Sequence, residues 1–237
     1  MKKTNLDNIK QIADMLLYVD IEETEFDMFL IHPFLNNKYM VLENRNEFVN
    51  ILASEENTQR AREFYSKRIN NAESVEEILY LMHKPYRPLL FKLCYSDMSV
   101  KDYNNILKEI WTGVENPNQD CNVSIRQWIS FFKNANKNII MIKEEKQHYD
   151  QLPDDYPITI YRGVGKGREP YGLSWTENIS TAEWFAKRWN NDEAYVLKTQ
   201  CFKKNIFAYF NIRGEDELVI NVNAIKKNNI ERIDLNE

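Results

Sequence analysis

The sequence predicts an α+β protein in which a helical region, residues 1–152, precedes a β-rich region, residues 153–237. Three observations carry that expectation. Glycine is unevenly spread: only Gly113 lies before residue 160, whereas Gly163, Gly165, Gly167, Gly172 and Gly214 follow it. Helices avoid glycine and tight-turned sheets use it. Before residue 150, apolar residues recur at helical spacing behind capping residues. After Tyr156 they fall instead into short β-branched and aromatic runs.

The helical elements have start signals. Ser74-Val75-Glu76-Glu77 and Ser124-Ile125-Arg126-Gln127 each fit a capping box, in which a serine oxygen and a later Glu or Gln satisfy free amides. Val75, Ile78, Leu79 and Met82 follow the first; Ile125, Trp128, Ile129 and Phe132 follow the second, each set forming one apolar face. Ser99 with Asp102 opens a third helix that turns Ile106, Leu107 and Ile110 inward. Lys84-Pro85 and Arg87-Pro88 are expected to close the helix before them, because a residue ahead of proline disfavours helical backbone. These stripes are read as core and not as partner faces. The strands are expected at 158–163, 173–176, 194–201, 205–210, 217–221 and 231–235. One helix interrupts them, with Ser180 as its expected N-cap, Glu183 completing the box and residues 182–189 following. Pro153, Asp154 and Pro157 mark the junction between the halves.

Composition narrows the function. Apolar residues make up 43% and aromatic residues 13%, a globular and not a disordered balance. A net charge of −5 argues against nucleic acid as the main partner but leaves room for a local basic pocket. Cys94, Cys121 and Cys201, with His32, His83 and His148, show no metal-site spacing, so no metal is expected. Three reduced thiols, an N-terminus interrupted by Asp7 and Asp14, and no apolar run near ~18 residues point to a cytoplasmic protein, of the producing or infected cell, with no membrane partner.

Four stretches of the β-rich region carry candidate chemistry. In ITIYRG, Arg162 shares a strand face with Ile158 and Ile160, as a guanidinium held in a cleft would, or one in a structural salt bridge. Gly163 to Arg168 is a glycine-rich turn with two basic residues that matches no phosphate-loop spacing. Ser174 and Thr176 lie two apart on the next strand, flanking Trp175. Glu215 and Glu217 are also two apart, so strand alternation puts them on one face and turns Asp216 away. Two carboxylates so placed suit a division of labour, one stabilising positive charge and one accepting a proton.

Each signal is modest alone, and their order is more specific. Tyr161-Arg162 at a strand end, Ser174-Trp175-Thr176, a helix, and Glu215-Asp216-Glu217 opening a later strand resemble mono-ADP-ribosyltransferases of the arginine–serine–glutamate class. The run Ala182-Glu183-Trp184-Phe185-Ala186 is similar to the helix that follows the serine motif in that family. The resemblance spans residues 156–222 and leaves the first half unmatched. Trp175 departs from the family's threonine, and the short interval from Arg162 to Ser174 fits a bacterial or phage intracellular type better than the toxin-like subfamilies.

The resemblance implies a mixed, mainly antiparallel sheet and NAD+ as substrate. It implies that Glu217 holds the ribose 2′-hydroxyl and stabilises the ribosyl cation, that Ser174 orients Glu217, and that Arg162 binds a phosphate or ribose. Gly163 would approach the nicotinamide amide, Ser174 and Thr176 would belong to the NAD+-binding set, and Tyr171 and Trp175 offer rings that could stack on nicotinamide or adenine. Glu215 would act on the acceptor, and a glutamate at that position goes with an arginine of a target protein. Residues 1–152 would then be a helical cap, a target-recognition module or an inhibitory lid. Two alternatives remain: an NAD+ glycohydrolase on the same site, and a catalytically silent domain kept for binding. The presence of Arg162, Ser174 and Glu217 together argues against the second.

Overall fold

The computed structural model describes residues 2–42, 48–188, 193–212 and 214–235, and divides the chain into two units, Met1–Val114 and Glu115–Glu237. The division falls well before the 152/153 boundary that the sequence suggests. The reason is visible in the packing of residues 125–151, whose apolar faces meet the sheet. The Phe132 ring stacks on Phe207 at 6.1 Å, and the Tyr209 amide donates to Met141 Sδ at 3.3 Å.

The first unit contains α1 (Leu6–Leu17), β1 (Glu22–Glu23), β2 (Leu30–Ile31), β3 (Tyr39–Val41) and β4 (Phe48–Asn50). Four helices follow: α2 (Glu55–Asn71), α3 (Val75–Leu81), α4 (Arg87–Cys94) and α5 (Val100–Gly113). Two small antiparallel ladders, β1–β2 and β3–β4, therefore interrupt a region expected to be helical. The serine caps form as expected: Ser74 Oγ accepts from Glu77 N at 3.2 Å and Ser99 Oγ from Asp102 N at 3.1 Å. At Ser74 the box is displaced by one residue, because the Glu77 carboxylate accepts from the Glu73 amide at 2.8 Å. Val75, Ile78, Leu79, Met82, Ile106, Leu107 and Ile110 are buried, as the periodicity requires. The preceding helix ends before Lys84-Pro85 as expected, but Pro88 behaves otherwise. Helix α3 ends at Leu81, and Pro88 sits in the first turn of α4, where a missing N–H costs nothing; it opens a helix and does not close one.

His32 lies buried in this unit, 1% exposed. Its Nδ1 accepts from the Phe34 and Leu35 amides at 3.0 and 2.9 Å, so the imidazole is neutral with its proton on Nε2. Burial, with Arg62 nearby, pushes its pKa down to about 4. Charging it would put a proton where two amides now donate. A group whose folded pKa lies below its unfolded value contributes stability that is fully present above about pH 6.5 and is lost as pH falls towards 4. The expected loss is roughly 3 kcal/mol across that window. Urea denaturation at pH 7 and pH 4.5 checks this, and the difference should shrink in His32→Asn. An equal difference in both proteins would place the acid sensitivity elsewhere.

The second unit begins with α6 (Ile125–Asn134), α7 (Lys137–Ile140) and α8 (Lys143–Gln151). The Ser124–Gln127 capping box is complete, and Trp128, Ile129 and Phe132 are buried beneath it. Then come β5 (Ile158–Val164), β6 (Ser174–Thr176), α9 (Ile179–Lys187), β7 (Tyr195–Cys201), β8 (Ile206–Phe210), β9 (Glu217–Ile220) and β10 (Glu231–Asp234). All six expected strands are present, in one sheet of order β10-β7-β5-β6-β9-β8. Every pairing among the described residues is antiparallel, so the sheet is antiparallel throughout and not mixed.

Helix α9 starts two residues earlier than expected. Asn178 is its N-cap, with Oδ1 accepting from Ser180 N at 2.9 Å and Thr181 N at 3.4 Å, so Ser180 lies inside the first turn and the Ser180–Glu183 box does not form. Trp189, the last residue of that expected helix, lies outside the described residues, as does Arg213 of the acidic run. The helix lies directly on β5. A Cβ on Gly163 would stand 2.0 Å from Ala182 O and 2.7 Å from Ala186 N, so glycine opposite two small residues at i and i+4 lets the backbones touch. No helix among the described residues is long and apolar enough to cross a membrane.

Candidate active site

Strands β5 and β7 pair along seven positions, whereas β5 and β6 share one, Tyr161 with Thr176. Beyond that rung the two strands part, and Arg162 occupies the fork. It is 9% exposed. Its Nε donates to Pro170 O at 3.1 Å, Nη1 to Ser174 O at 2.6 Å and Nη2 to Glu169 O at 2.8 Å. Burial lowers its pKa to about 10, while the Glu217 and Glu169 carboxylates favour the cation, so it stays charged at neutral pH. The guanidinium is therefore neither in a simple salt bridge nor wholly free for a ligand: it clamps three loop carbonyls and keeps two of its five N–H donors.

The clamped loop, 165–173, is held from its other side by residues that carried no signal in the sequence. Gln119 Nε2 donates to Gly167 O at 2.8 Å, and Asn118 Oδ1 accepts from Leu173 N at 2.7 Å. A Cβ on Gly172 would lie 2.6 Å from both Arg162 Nη2 and Asn118 Cγ, which explains a glycine there. The run ENPNQD shows only turn composition, and its partners lie about fifty residues away. What reads as a flexible basic turn is thus a pinned one.

The remaining residues of the expected site divide. Gly163 is glycine because α9 lies against it. Trp175 is 2% exposed and donates Nε1–H to Gly172 O at 2.9 Å, so its ring is a core element and cannot stack on a ligand here. Tyr171 is half-exposed, but Lys227 Nζ lies 4.5 Å from its ring centroid. Ser174 is half-buried and pairs with Val219 across the ladder. Thr176 is the residue directly across from Glu217; it is 5% exposed, and its Oγ1 accepts from Asn178 N at 3.1 Å.

The acidic run departs most from expectation. Strand β9 begins only at Glu217, and Asp216 has φ +48°, in the left-handed region. That conformation costs a residue with a Cβ roughly 1 kcal/mol or more and breaks the alternation expected to set Glu215 and Glu217 on one face. Asp216 is not simply turned away: its Oδ1 accepts from the Tyr209 hydroxyl at 2.6 Å.

A second cluster borders this run. His148 Nε2 lies 2.8 Å from Glu177 Oε2, and its ring stacks on Tyr209 at 4.0 Å and 21°. Glu145, 2% exposed, accepts from Ile142 N at 2.9 Å and from Asn211 N at 3.2 Å. Burial pushes the Tyr209 hydroxyl above the usual tyrosine range, with Asp216, Glu177 and Glu145 adding to the effect. Because Thr176 pairs with Glu217, its neighbour Glu177 and the adjacent Asp216 come to the same end of the sheet. In sequence, KEEKQHYD reads as a solvated helix, so this cluster is hidden until α8 is packed.

Three adjacent strands thus carry a buried cation, a pair of hydroxyls and a carboxylate. Among the described residues no group of three or more metal-ligating side chains occurs. Comparisons with protein families, with curated proteins and with solved structures find no match, so what this site can do is read from its own residues.

Proposed function

We propose that this protein is an NAD+-dependent mono-ADP-ribosyltransferase that transfers ADP-ribose to a protein side chain, arginine by preference, and releases nicotinamide. One observation carries the reading. Arg162, Ser174 and Glu217, the three residues singled out by the motif resemblance, sit on β5, β6 and β9, and these are consecutive neighbours in the sheet. Glu217 is also close enough to Arg162 to favour its charge.

The chemistry that such a site would perform starts with cleavage of the ribose–nicotinamide bond, whose electron pair leaves with neutral nicotinamide. The ribosyl carbon becomes positively charged, and a carboxylate fixed in advance stabilises that charge without having to reorganise. Glu217 takes this role. The two free N–H donors of Arg162 suit a phosphate or ribose oxygen, while its other three hold the loop that borders the fork. Glu215 accepts the proton that the acceptor guanidinium must lose to become a nucleophile. The new bond joins that nitrogen to the ribosyl carbon.

Incubation with labelled NAD+ and an arginine-rich acceptor, followed by mass spectrometry, tests the reading. ADP-ribose on arginine is the expected result. Free ADP-ribose without labelled protein would establish a glycohydrolase instead, and intact NAD+ a binding domain. Glu215→Gln is expected to lower transfer about tenfold more than it lowers NAD+ hydrolysis. Equal losses in the two rates would remove the proposed division of labour.

A further inference from the structure

We propose that Asp216, held by the Tyr209 hydroxyl, is the positioning residue of the carboxylate pair: it sets where Glu215 stands relative to Glu217, and so sets transfer to an acceptor against release of free ADP-ribose. This rests on the transferase reading. Asp216 is the residue between the two acids, and its φ of +48° decides the direction in which the chain leaves Glu215 and enters β9. Among the described residues it is the only one other than glycine with positive φ. A left-handed aspartate persists only where its surroundings hold it.

The hold is built from several elements. The Tyr209 hydroxyl donates to Asp216 Oδ1 at 2.6 Å, from a side chain that is 4% exposed. Helix α8 fixes the start of the intervening loop. His148 stacks on the Tyr209 ring and is itself held by Glu177, while Glu145 accepts from Asn211 N at 3.2 Å. Asn211 Oδ1 in turn faces the Asp216 amide at 3.4 Å. Asn211 is thereby tied to the helix, and Asp216 to the sheet at Tyr209. Glu217 needs none of this, because it is already in the β6–β9 ladder opposite Thr176. Loss of the hold should therefore displace Glu215 and leave Glu217 in place.

The experiment measures two rates in each variant, NAD+ hydrolysis and transfer to a small guanidine acceptor. Tyr209→Phe keeps the ring and its stacking and removes only the donor. It is expected to lower transfer about tenfold while hydrolysis and KM for NAD+ stay within about threefold. Asp216→Gly, which relaxes the backbone but removes the acceptor oxygen, should behave the same way. Asp216→Asn keeps an acceptor oxygen and tolerates the left-handed region, so it should retain transfer. A merely structural role would lower both rates in parallel. If the wild-type protein transfers ADP-ribose and Tyr209→Phe leaves the ratio of the two rates unchanged, the positioning role fails while the transferase reading stands. If the wild-type protein transfers no ADP-ribose, the reading fails and takes the positioning role with it.

Discussion

Glu217→Gln is expected to slow NAD+ cleavage by ~10²–10⁴-fold while the fold survives. The substitution keeps the shape and the hydrogen-bonding reach of the side chain and removes only its charge. If the charge stabilises the ribosyl cation, the rate falls through kcat, since ground-state binding of NAD+ does not depend on a charge that matters only as the bond breaks. The fold should tolerate the change. Arg162 loses one favourable carboxylate but retains Glu169 and three carbonyl acceptors, so its burial is still compensated. Initial rates with saturating NAD+, together with a thermal melt, decide the matter. A variant that cleaves NAD+ at the wild-type rate would remove Glu217 from the chemistry.

Gly163→Ala should have the largest effect on stability. The added methyl would stand 2.0 Å from Ala182 O and 2.7 Å from Ala186 N, well inside contact distance, so α9 or β5 has to move. Both obstacles are backbone atoms, and trimming the neighbouring side chains cannot relieve them. Overpacking of this kind costs about 3 kcal/mol, at the upper end of the usual range. For a unit of this size that lowers the melting temperature by roughly 10 °C. Gly113→Ala is the control, because nothing lies within 4 Å of a Cβ built there. Equal melting temperatures for the two variants would show that the helix and strand yield at little cost. Activity should fall with stability at Gly163, since Arg162 is the adjacent residue on the displaced strand.

What the sequence made legible follows from the range of the interactions involved. The six strands and the helices behind Ser74, Ser99 and Ser124 were readable because side-chain alternation and capping are decided within a few residues. The start of α9 was missed by two residues because two local caps competed, and an asparagine that reaches two amides won over a serine. Arg162 was recognisable as a guanidinium out of place on an apolar face. Its three carbonyl partners were not, since Glu169, Pro170 and Ser174 meet it only after the strand and loop have folded back. Asn118, Gln119, Glu145 and His148 were invisible for the same reason. Their partners lie roughly thirty to seventy residues away, and nothing in their own neighbourhoods distinguishes them from turn or helix-surface residues. Trp175 shows the converse error. An aromatic beside a motif serine suggests a ligand platform, whereas strand pairing buries it.

The lone rung between Tyr161 and Thr176 has a mechanical consequence. Strands β10, β7 and β5 form one well-laddered plate, and β6, β9 and β8 another. The two plates meet at one rung, with one side chain reaching across it and helix α9 lying over strands of both. That side chain is Arg162, anchored in the first plate and gripping Ser174 O at the edge of the second. A ligand that drew on the same guanidinium would therefore compete for the one side chain that ties Ser174 O across this joint.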